Sequence, residues 1–381
     1  MPEIIVIGAG PVGLLLSAEL IRLGIDVELV ESRQHAGPGS RAIGIHPPAL
    51  AALEHSGLTQ QLLEHAVRVG RGEARSGDRT LGTVRFDQLR VRFPFVATLP
   101  QAATEAVLSA AAPRPQRGVA VTGLAPADHQ VQLHTSAGAR RAPIVVLAGG
   151  HHSRSLVYRR PAPRTYPDRY LMVDSPVEAA ANEPTAVIHL DENGVLESFP
   201  LPGGRRRFVA WDHPAAAQDP RSQHSRMERA LEVRGHRFSG STTGFGVRRF
   251  LAPRLRNGRV FVIGDAAHEV SPIGGQGMNL GLLDAATLAP LLARWIRSGR
   301  PPEPALRQWE KNRLSSARRA AGLAGLNTRL GRPAPRALNG LRSSAVGLML
   351  GPGSGRLMAR AYAMGFDQHS PSASHLPPLT R

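Results

Sequence analysis

Apolar and polar positions change their spacing along the chain, and the spacing predicts the elements. Residues 3–7, Glu3-Ile4-Ile5-Val6-Ile7, form a short apolar run that predicts a buried strand. Residues 11–23 carry Leu14, Leu15, Ala18 and Leu20, which predicts a helix. From Asp26 to Val30, Val27, Leu29 and Val30 alternate loosely with Asp26 and Glu28, which predicts a second strand. The opening is therefore a βαβ unit. Further helices are expected at 47–56, 58–65 and 101–111, and β-like runs at 80–84, 91–96, 119–124 and 130–135. Pro143 to Ala148 is apolar throughout and ends at Gly149-Gly150, the pattern of a central parallel strand.

Between 155 and 255 the rhythm changes. Short runs at 185–190, 195–199 and 207–211 are separated by Asn193-Gly194 and Gly203-Gly204. Both dipeptides favour positive φ and mark hairpins, so an inserted antiparallel sheet is expected. Residues 259–265 return to an apolar parallel strand, and a helix follows over about 278–297. The remainder reads as helical and basic, broken by Pro333, Pro335 and Pro352. The expected class is α/β. A Rossmann-like nucleotide-binding domain takes 1–75, 98–160 and 256–300, and a substrate domain takes 76–97 and 161–255. C-terminal helices occupy 301–366, and 367–381, rich in Ser, Pro and His, reads as a disordered tail.

Composition narrows the function. A length of 381 residues suits two to three domains. Cysteine is absent, which excludes disulfides, thiolate metal sites and cysteine nucleophiles, and no other metal cluster is expected. The net charge of +18 raises the question of nucleic acid or an anionic membrane. Yet the basic residues are arginine except for Lys311, the mark of a GC-rich coding bias. Aromatic residues make up only 4%, too few for a base-stacking platform, so no nucleic-acid partner is expected. The apolar stretch 4–16 has no basic residues before it and is interrupted by Gly8, Gly10, Pro11 and Gly13, unlike a signal peptide. No run is long and uncharged enough to span a bilayer, and a cytoplasmic location is expected.

The chemistry begins at Gly8-Ala9-Gly10-Pro11-Val12-Gly13, between the first strand and the first helix. Gly8 permits the tight turn, Gly10 lets a pyrophosphate approach the backbone, and Gly13 lets helix and strand pack closely. The helix N-terminus offers free N–H groups and a positive dipole end to phosphates. Glu31 closes the second strand, where its carboxylate can accept hydrogen bonds from a ribose diol. This fingerprint by itself does not separate FAD from NAD.

A second constellation runs Gly264-Asp265-Ala266-Ala267-His268, then Ser271-Pro272-Ile273-Gly274-Gly275-Gln276-Gly277-Met278-Asn279. Asp265 ends an apolar strand and can face the crevice above the sheet. The glycines bring backbone close to a flat ligand, and the next helix N-terminus can stabilise negative charge. His268 reads as a packing residue. With both motifs, residues 1–310 resemble the FAD-dependent aromatic hydroxylases, the flavoprotein monooxygenases typified by para-hydroxybenzoate hydroxylase and including the ubiquinone-biosynthesis hydroxylases. Two shorter matches support this. Ser40-Arg41-Ala42-Ile43-Gly44 resembles the segment whose arginine contacts FAD, and Leu99-Pro100-Gln101 the segment whose glutamine does. There is one departure. The family ends its central strand with Asp-Gly followed by a serine and an arginine, whereas this chain has Gly149-Gly150, keeps Ser153, and has Leu156 at the arginine position. That aspartate is linked to NAD(P)H handling, so slow reduction by NADPH is expected.

The resemblance implies FAD reduced by NADPH or NADH, addition of O2 to give a C4a-hydroperoxide, and transfer of oxygen to an electron-rich ring. The implied substrate is an aromatic or phenolic small molecule, polyketides included. An FAD-dependent reductase of a related branch and a membrane-associated hydroxylase of quinone precursors are the alternatives. Pro272 would line the reactive flavin face. Gly8, Gly10, Pro11, Val12, Gly13, Glu31, Arg41, Gln101, Gly264, Asp265, Gly274, Gly275, Gly277, Met278 and Asn279 would hold the cofactor. Leu196, Phe199, Trp211 and Phe245 are candidates for lining the substrate site, and Arg205, Arg206 and Arg207 for meeting a charged one. His151 and His152 read as loop residues. From Lys311 to Phe366 there is no acidic residue, and the helices there are expected to cap the FAD domain with their arginines on the wet face; peripheral membrane contact is the sharper reading.

Overall fold

The computed structural model describes residues 1–37, 42–178, 183–351 and 353–367. The chain opens with β1 (Ile4–Ile7), α1 (Pro11–Arg22) and β2 (Val27–Glu31). Next come β3 (Gly44–Ile45), α2 (Pro47–Leu53), α3 (Leu58–Glu64), β4 (Val67–Val69), β5 (Arg71–Ser76), β6 (Arg79–Arg85) and β7 (Val96–Thr98). After α4 (Gln101–Ala111) follow β8 (Gln116–Arg117), a meander of β9 (Val121–Pro126), β10 (Val131–Thr135) and β11 (Gly138–Ala142), and then β12 (Ile144–Leu147).

The long antiparallel stretch is β13 (Arg164–Pro176), β14 (Thr185–Asp191), β15 (Gly194–Leu201), β16 (Arg205–Asp212), α5 (Pro220–Glu232) and β17 (Thr243–Leu251). The chain returns through β18 (Arg256–Asn257), β19 (Val260–Val262) and β20 (His268–Glu269), and ends in α6 (Gly277–Ser298), α7 (Glu303–Leu330), α8 (Arg336–Met349) and α9 (Gly355–Tyr362).

Two sheets organise these elements. The first has the order β18-β19-β12-β1-β2-β8, with β1 parallel to both β2 and β12, and β12 parallel to β19. Its central strands are wholly apolar because both faces are covered. The chain leaves β1 towards β2 on one side and later returns to β12 on the other. The carboxyl ends of β1 and β12 therefore flank a topological switch point, where such sheets bind ligands.

The second sheet has the order β20-β17-β13-β16-β15-β14-β5-β6. It is mixed rather than purely antiparallel, because β14 and β5 run parallel. The helix α5 covers its back, burying Met227 and Leu231 against Leu171, Leu196 and Phe208. Asp219 caps α5 by accepting from the Ser222 N–H at 2.9 Å. This helix was not expected inside the insert.

Four expectations change. The run at 91–96 is irregular, and the strand occupies Val96–Thr98 in a small sheet with β3 and β4. The second sheet begins at Arg71, so a boundary at 75/76 would cut the β5–β6 hairpin. Asp367 is not tail: it is buried and accepts from Arg313 at 2.8 and 3.1 Å, while 368–381 lie outside the described residues. The fourth change is in α8, which turns one of its two arginines inward while Arg336 stays exposed. Arg342 donates to the carbonyls of Leu330, Arg332 and Asp191 at 2.6–2.7 Å, while Leu338, Leu341 and Leu348 face solvent at 56, 69 and 80% exposure. Among the described residues no helix is long and apolar enough to cross a membrane.

Candidate functional site

One cavity of about 1150 Å³ runs from the switch point of the first sheet to the inner face of the second. At its first end, Gly8 has φ +106° and lies against β12: a Cβ there would sit 2.5 Å from Gly149 Cα. A Cβ on Gly13 would sit 1.8 Å from the Gly8 carbonyl oxygen, so only glycine lets α1 start this close to β1. At Gly10 nothing lies within 4 Å of the Cβ position, which leaves open backbone facing the cavity. No side chain caps the N-terminus of α1, so its first N–H groups and dipole are available to a phosphate.

Glu31 stands beside this loop. It accepts from the Ala9 N–H and the Arg33 N–H, each at 2.9 Å, and from the Arg33 guanidinium at 3.2 Å. Burial alone would raise its pKa, but these bonds and the Arg33 charge outweigh burial and hold it at about 2. A fixed, ionised acceptor beside a glycine turn is what a ribose diol requires. Nearby, Gln101 opens α4 and donates to Glu105 at 2.7 Å.

The second motif forms the middle of the cavity. Asp265 faces it from a 3₁₀ turn, and the Asp265 carbonyl accepts from Arg154 at 2.7 Å. The loop at Pro272–Gly275 bends through Gly274 (φ +97°) and Gly275 (φ +68°) into α6, whose N-terminus also lacks a side-chain cap. Behind this loop lies a buried network. Asp284 accepts from the Gly264 N–H at 3.0 Å and the Arg313 Nε–H at 2.7 Å, and its Oδ2 lies 2.5 Å from His268 Nε2. Burial would raise the Asp284 pKa; His268 and Arg313 overcome that and lower it.

Of the expected site residues, Gly8, Gly10, Pro11, Val12, Glu31, Gln101, Asp265, Pro272, Gly274, Gly275, Gly277 and Met278 line this one cavity. Three do not. Gly13 and Gly264 are packed against Gly8 and Val12. Asn279, fully buried, accepts from the His46 N–H and donates to the carbonyls of Gly44 and Gly275, so it ties the loop to β3 instead of facing a ligand. Arg41, with Ser40, lies outside the described residues.

At the end against the second sheet, Phe199 and Phe245 line the cavity with Met172, Ile188, Val195 and Val209. Leu196 points to the back of the sheet, and Trp211 binds Asp168 at 3.3 Å in a separate hollow. Arg206 is buried in hydrogen bonds to Ser198 and the Thr185 carbonyl, and Arg207 is paired with Asp174 at 2.5 and 2.7 Å. His151 and His152 belong to a 3₁₀ turn, their rings 3.7 Å apart, and both border the cavity; His151 Nε2 accepts from Arg248 at 2.7 Å.

Several residues here went unnoticed in the sequence. His46 is buried beside the loop, and burial pushes its pKa down to about 4. Glu197 is a buried acid in the cavity wall. Asp284 could have been found as the lone charge in the apolar stretch 280–293.

The residues present fit a flavin dinucleotide: two uncapped helix N-termini, a fixed carboxylate for a ribose and glycine backbone for flat approach share one cavity. Residues 1–324 match the family model described as FAD binding domain. The chain belongs to that family. It is 31% identical over 355 residues to 6-methylpretetramide 4-monooxygenase of Streptomyces rimosus, covering 85% of this chain and 62% of that protein. It is 30% identical over 324 residues to the uncharacterized aromatic compound monooxygenase YhjG of Bacillus subtilis, covering 78% of this chain and 63% of that one. The chain thus spans less than two thirds of the length of these curated relatives. Among solved structures, p-nitrophenol 4-monooxygenase PnpA of Pseudomonas putida shares the fold with a TM-score of 0.86 at 22% identity, over 97% of this chain and 98% of that one. The anhydrotetracycline hydroxylase OxyS of Streptomyces rimosus superposes with a TM-score of 0.77 at 26% identity, over 95% and 75%.

Proposed function

We propose that this chain is an FAD-dependent monooxygenase that hydroxylates an aromatic, phenolic or polyketide-type small molecule with O2 and NAD(P)H. The observation that carries the reading is the single cavity joining the Gly8–Gly13 turn, the Pro272–Gly275 loop and the apolar face of the second sheet. FAD, when bound, takes reducing equivalents from a nicotinamide and supplies one oxygen atom from O2 to the ring.

The chain's own residues do the rest. Glu31 and the α1 N-terminus hold ribose and pyrophosphate, and Gln101 and Asp265 face polar parts of the cofactor. The turn at Gly274–Gly277 brings N–H groups of α6 to where negative charge develops on the ring system. Pro272 and Ile273, beneath the apolar sheet, exclude water from the reacting face. A cytoplasmic location, with its supply of NAD(P)H, belongs to the same proposal.

Gly149 bears on the reductant. A Cβ there would lie 2.9 Å from both Cβ and Oγ of Ser153, so the position is closed to an aspartate unless Ser153 moves. Because the resemblance links the missing aspartate to NAD(P)H handling, we expect slow NADPH oxidation in the absence of substrate.

The test is direct. The purified protein, reconstituted with FAD, is examined for a flavin spectrum. NADH and NADPH oxidation are then followed with a phenol panel, and products are checked by mass spectrometry for one added oxygen atom. A flavin-bound protein that oxidises NAD(P)H with every phenol but inserts no oxygen refutes the hydroxylation and favours a reductase.

A further inference from the structure

Glu197 is the exception on an apolar wall. It lies on β15 opposite Val209 of β16 and Ile188 of β14, and Val195 and Phe199 flank it on the same face. All four neighbours are apolar and border the cavity. Glu197 itself is only 5% exposed. A buried carboxyl without strong partners is costly, and it persists where it serves a purpose beyond packing.

Its surroundings keep it uncharged. Burial pushes the Glu197 carboxyl up to about 8, although the Gly274 backbone N–H pulls the other way. At neutral pH it is mostly a carboxylic acid, with one O–H donor and remaining acceptor capacity. The contact with Gly274 also places it beside the Pro272–Gly275 loop, where the substrate half of the cavity meets the cofactor half. The nearby Arg207 is neutralised by its bidentate pairing with Asp174 at 2.5 and 2.7 Å, and Glu73 is paired with Arg75 at 2.6 Å.

We propose that Glu197 determines substrate specificity, its carboxyl hydrogen-bonding the ring hydroxyl of an uncharged phenolic substrate, while the apolar sheet face turns away carboxylated rings. The assignment rests on the monooxygenase reading, because it needs an aromatic substrate beside a bound flavin. A carboxylated ring would bring an unpaired anion against an apolar face on which Arg207 is already matched. A ring without the hydroxyl would leave the Glu197 carboxyl without that partner.

The experiment uses the FAD-loaded full chain and three probes at neutral pH: methyl 4-hydroxybenzoate, methyl benzoate (ring hydroxyl removed, ester kept) and 4-hydroxybenzoate (anionic). Binding is read from the perturbation of flavin absorbance. The wild type is expected to bind methyl 4-hydroxybenzoate about tenfold more tightly than either other probe, the worth of one good hydrogen bond. Glu197→Leu should remove the preference over methyl benzoate while flavin content stays unchanged. Glu197→Gln, which keeps a donor and an acceptor, should retain most of it. Flavin uptake with no hydroxyl preference in the wild type, or a preference that survives in Glu197→Leu, overturns the assignment and leaves the monooxygenase reading standing. Equal binding of 4-hydroxybenzoate and its ester also overturns it. Failure to take up FAD sinks the monooxygenase reading itself.

Discussion

Glu31 shows how much a single side chain can gather. Its two oxygens accept from two backbone N–H groups and from Arg33, so the carboxylate is oriented before any ligand arrives. Glu31→Ala should weaken FAD retention by about 1.5–3 kcal/mol, the range for hydrogen bonds to a charged group, as measured by flavin content after dialysis. His189 behaves differently. It is buried on the back of the second sheet, neither ring nitrogen has a partner, and burial pushes its pKa down to about 4. The unfolded chain binds this proton near pH 6.5 and the folded chain only near 4. Stability from this residue is therefore full above the higher value and is lost as pH falls between the two, by up to about 3 kcal/mol. His189→Leu should flatten the loss of thermal stability between neutral pH and pH 4, read by circular dichroism, and an unchanged acid limb would refute this.

At the scale of elements, most strands and helices marked by a local signal were legible, α5 excepted, whereas the direction of side chains whose partners arrive from far along the chain was not. The βαβ opening and the hairpins at Asn193-Gly194 and Gly203-Gly204 are local, and the structure has them. Glu197 carried no signal of its own, because Gly274, whose N–H meets it, lies far downstream. Asn279 and Gly264 sit inside a recognisable motif, but their direction depends on β3 and α1. The inverted face of α8 was hidden for the same reason: the carbonyls that take Arg342 come from β14 and the end of α7.

That inversion has its own test. Leu338, Leu341 and Leu348 of α8 and Leu357 of α9 are exposed, and so are Arg336, Arg356 and Arg360 on the same two helices, a composition suited to an anionic interface. If they rest on one, the protein should float with vesicles rich in phosphatidylglycerol but not with phosphatidylcholine, and should be released by salt. Replacing the three leucines of α8 with serine should abolish flotation. No flotation at low salt would leave α8 as a plain cap over the cavity.

The whole molecule is closed from its far end. Arg313, with no exposed surface, joins Asp284 on α6, behind Gly264, to Asp367 after α9. Removing one partner of a buried ion pair leaves an uncompensated charge and costs about 3–5 kcal/mol. Asp367→Ala should therefore lower the melting temperature and reduce flavin content together, and truncation just before residue 367 should do the same. Melting unaffected by either change would mean that Asp284 alone balances Arg313. The fold class was visible from the two glycine motifs, whereas this closure was not: nothing in the basic run 311–366 marks Arg313 as the arginine that is buried.

A ribosome delivers β1 and its glycine turn long before the wall they face: the turn has no far side until residues 144–150 emerge, and β12 has no outer neighbour until 260–262. The clamp behind Gly264 is completed only by Asp367. Until these later segments emerge the first glycine turn stands without the rest of its cavity, and flavin uptake is expected to follow their assembly rather than to nucleate it.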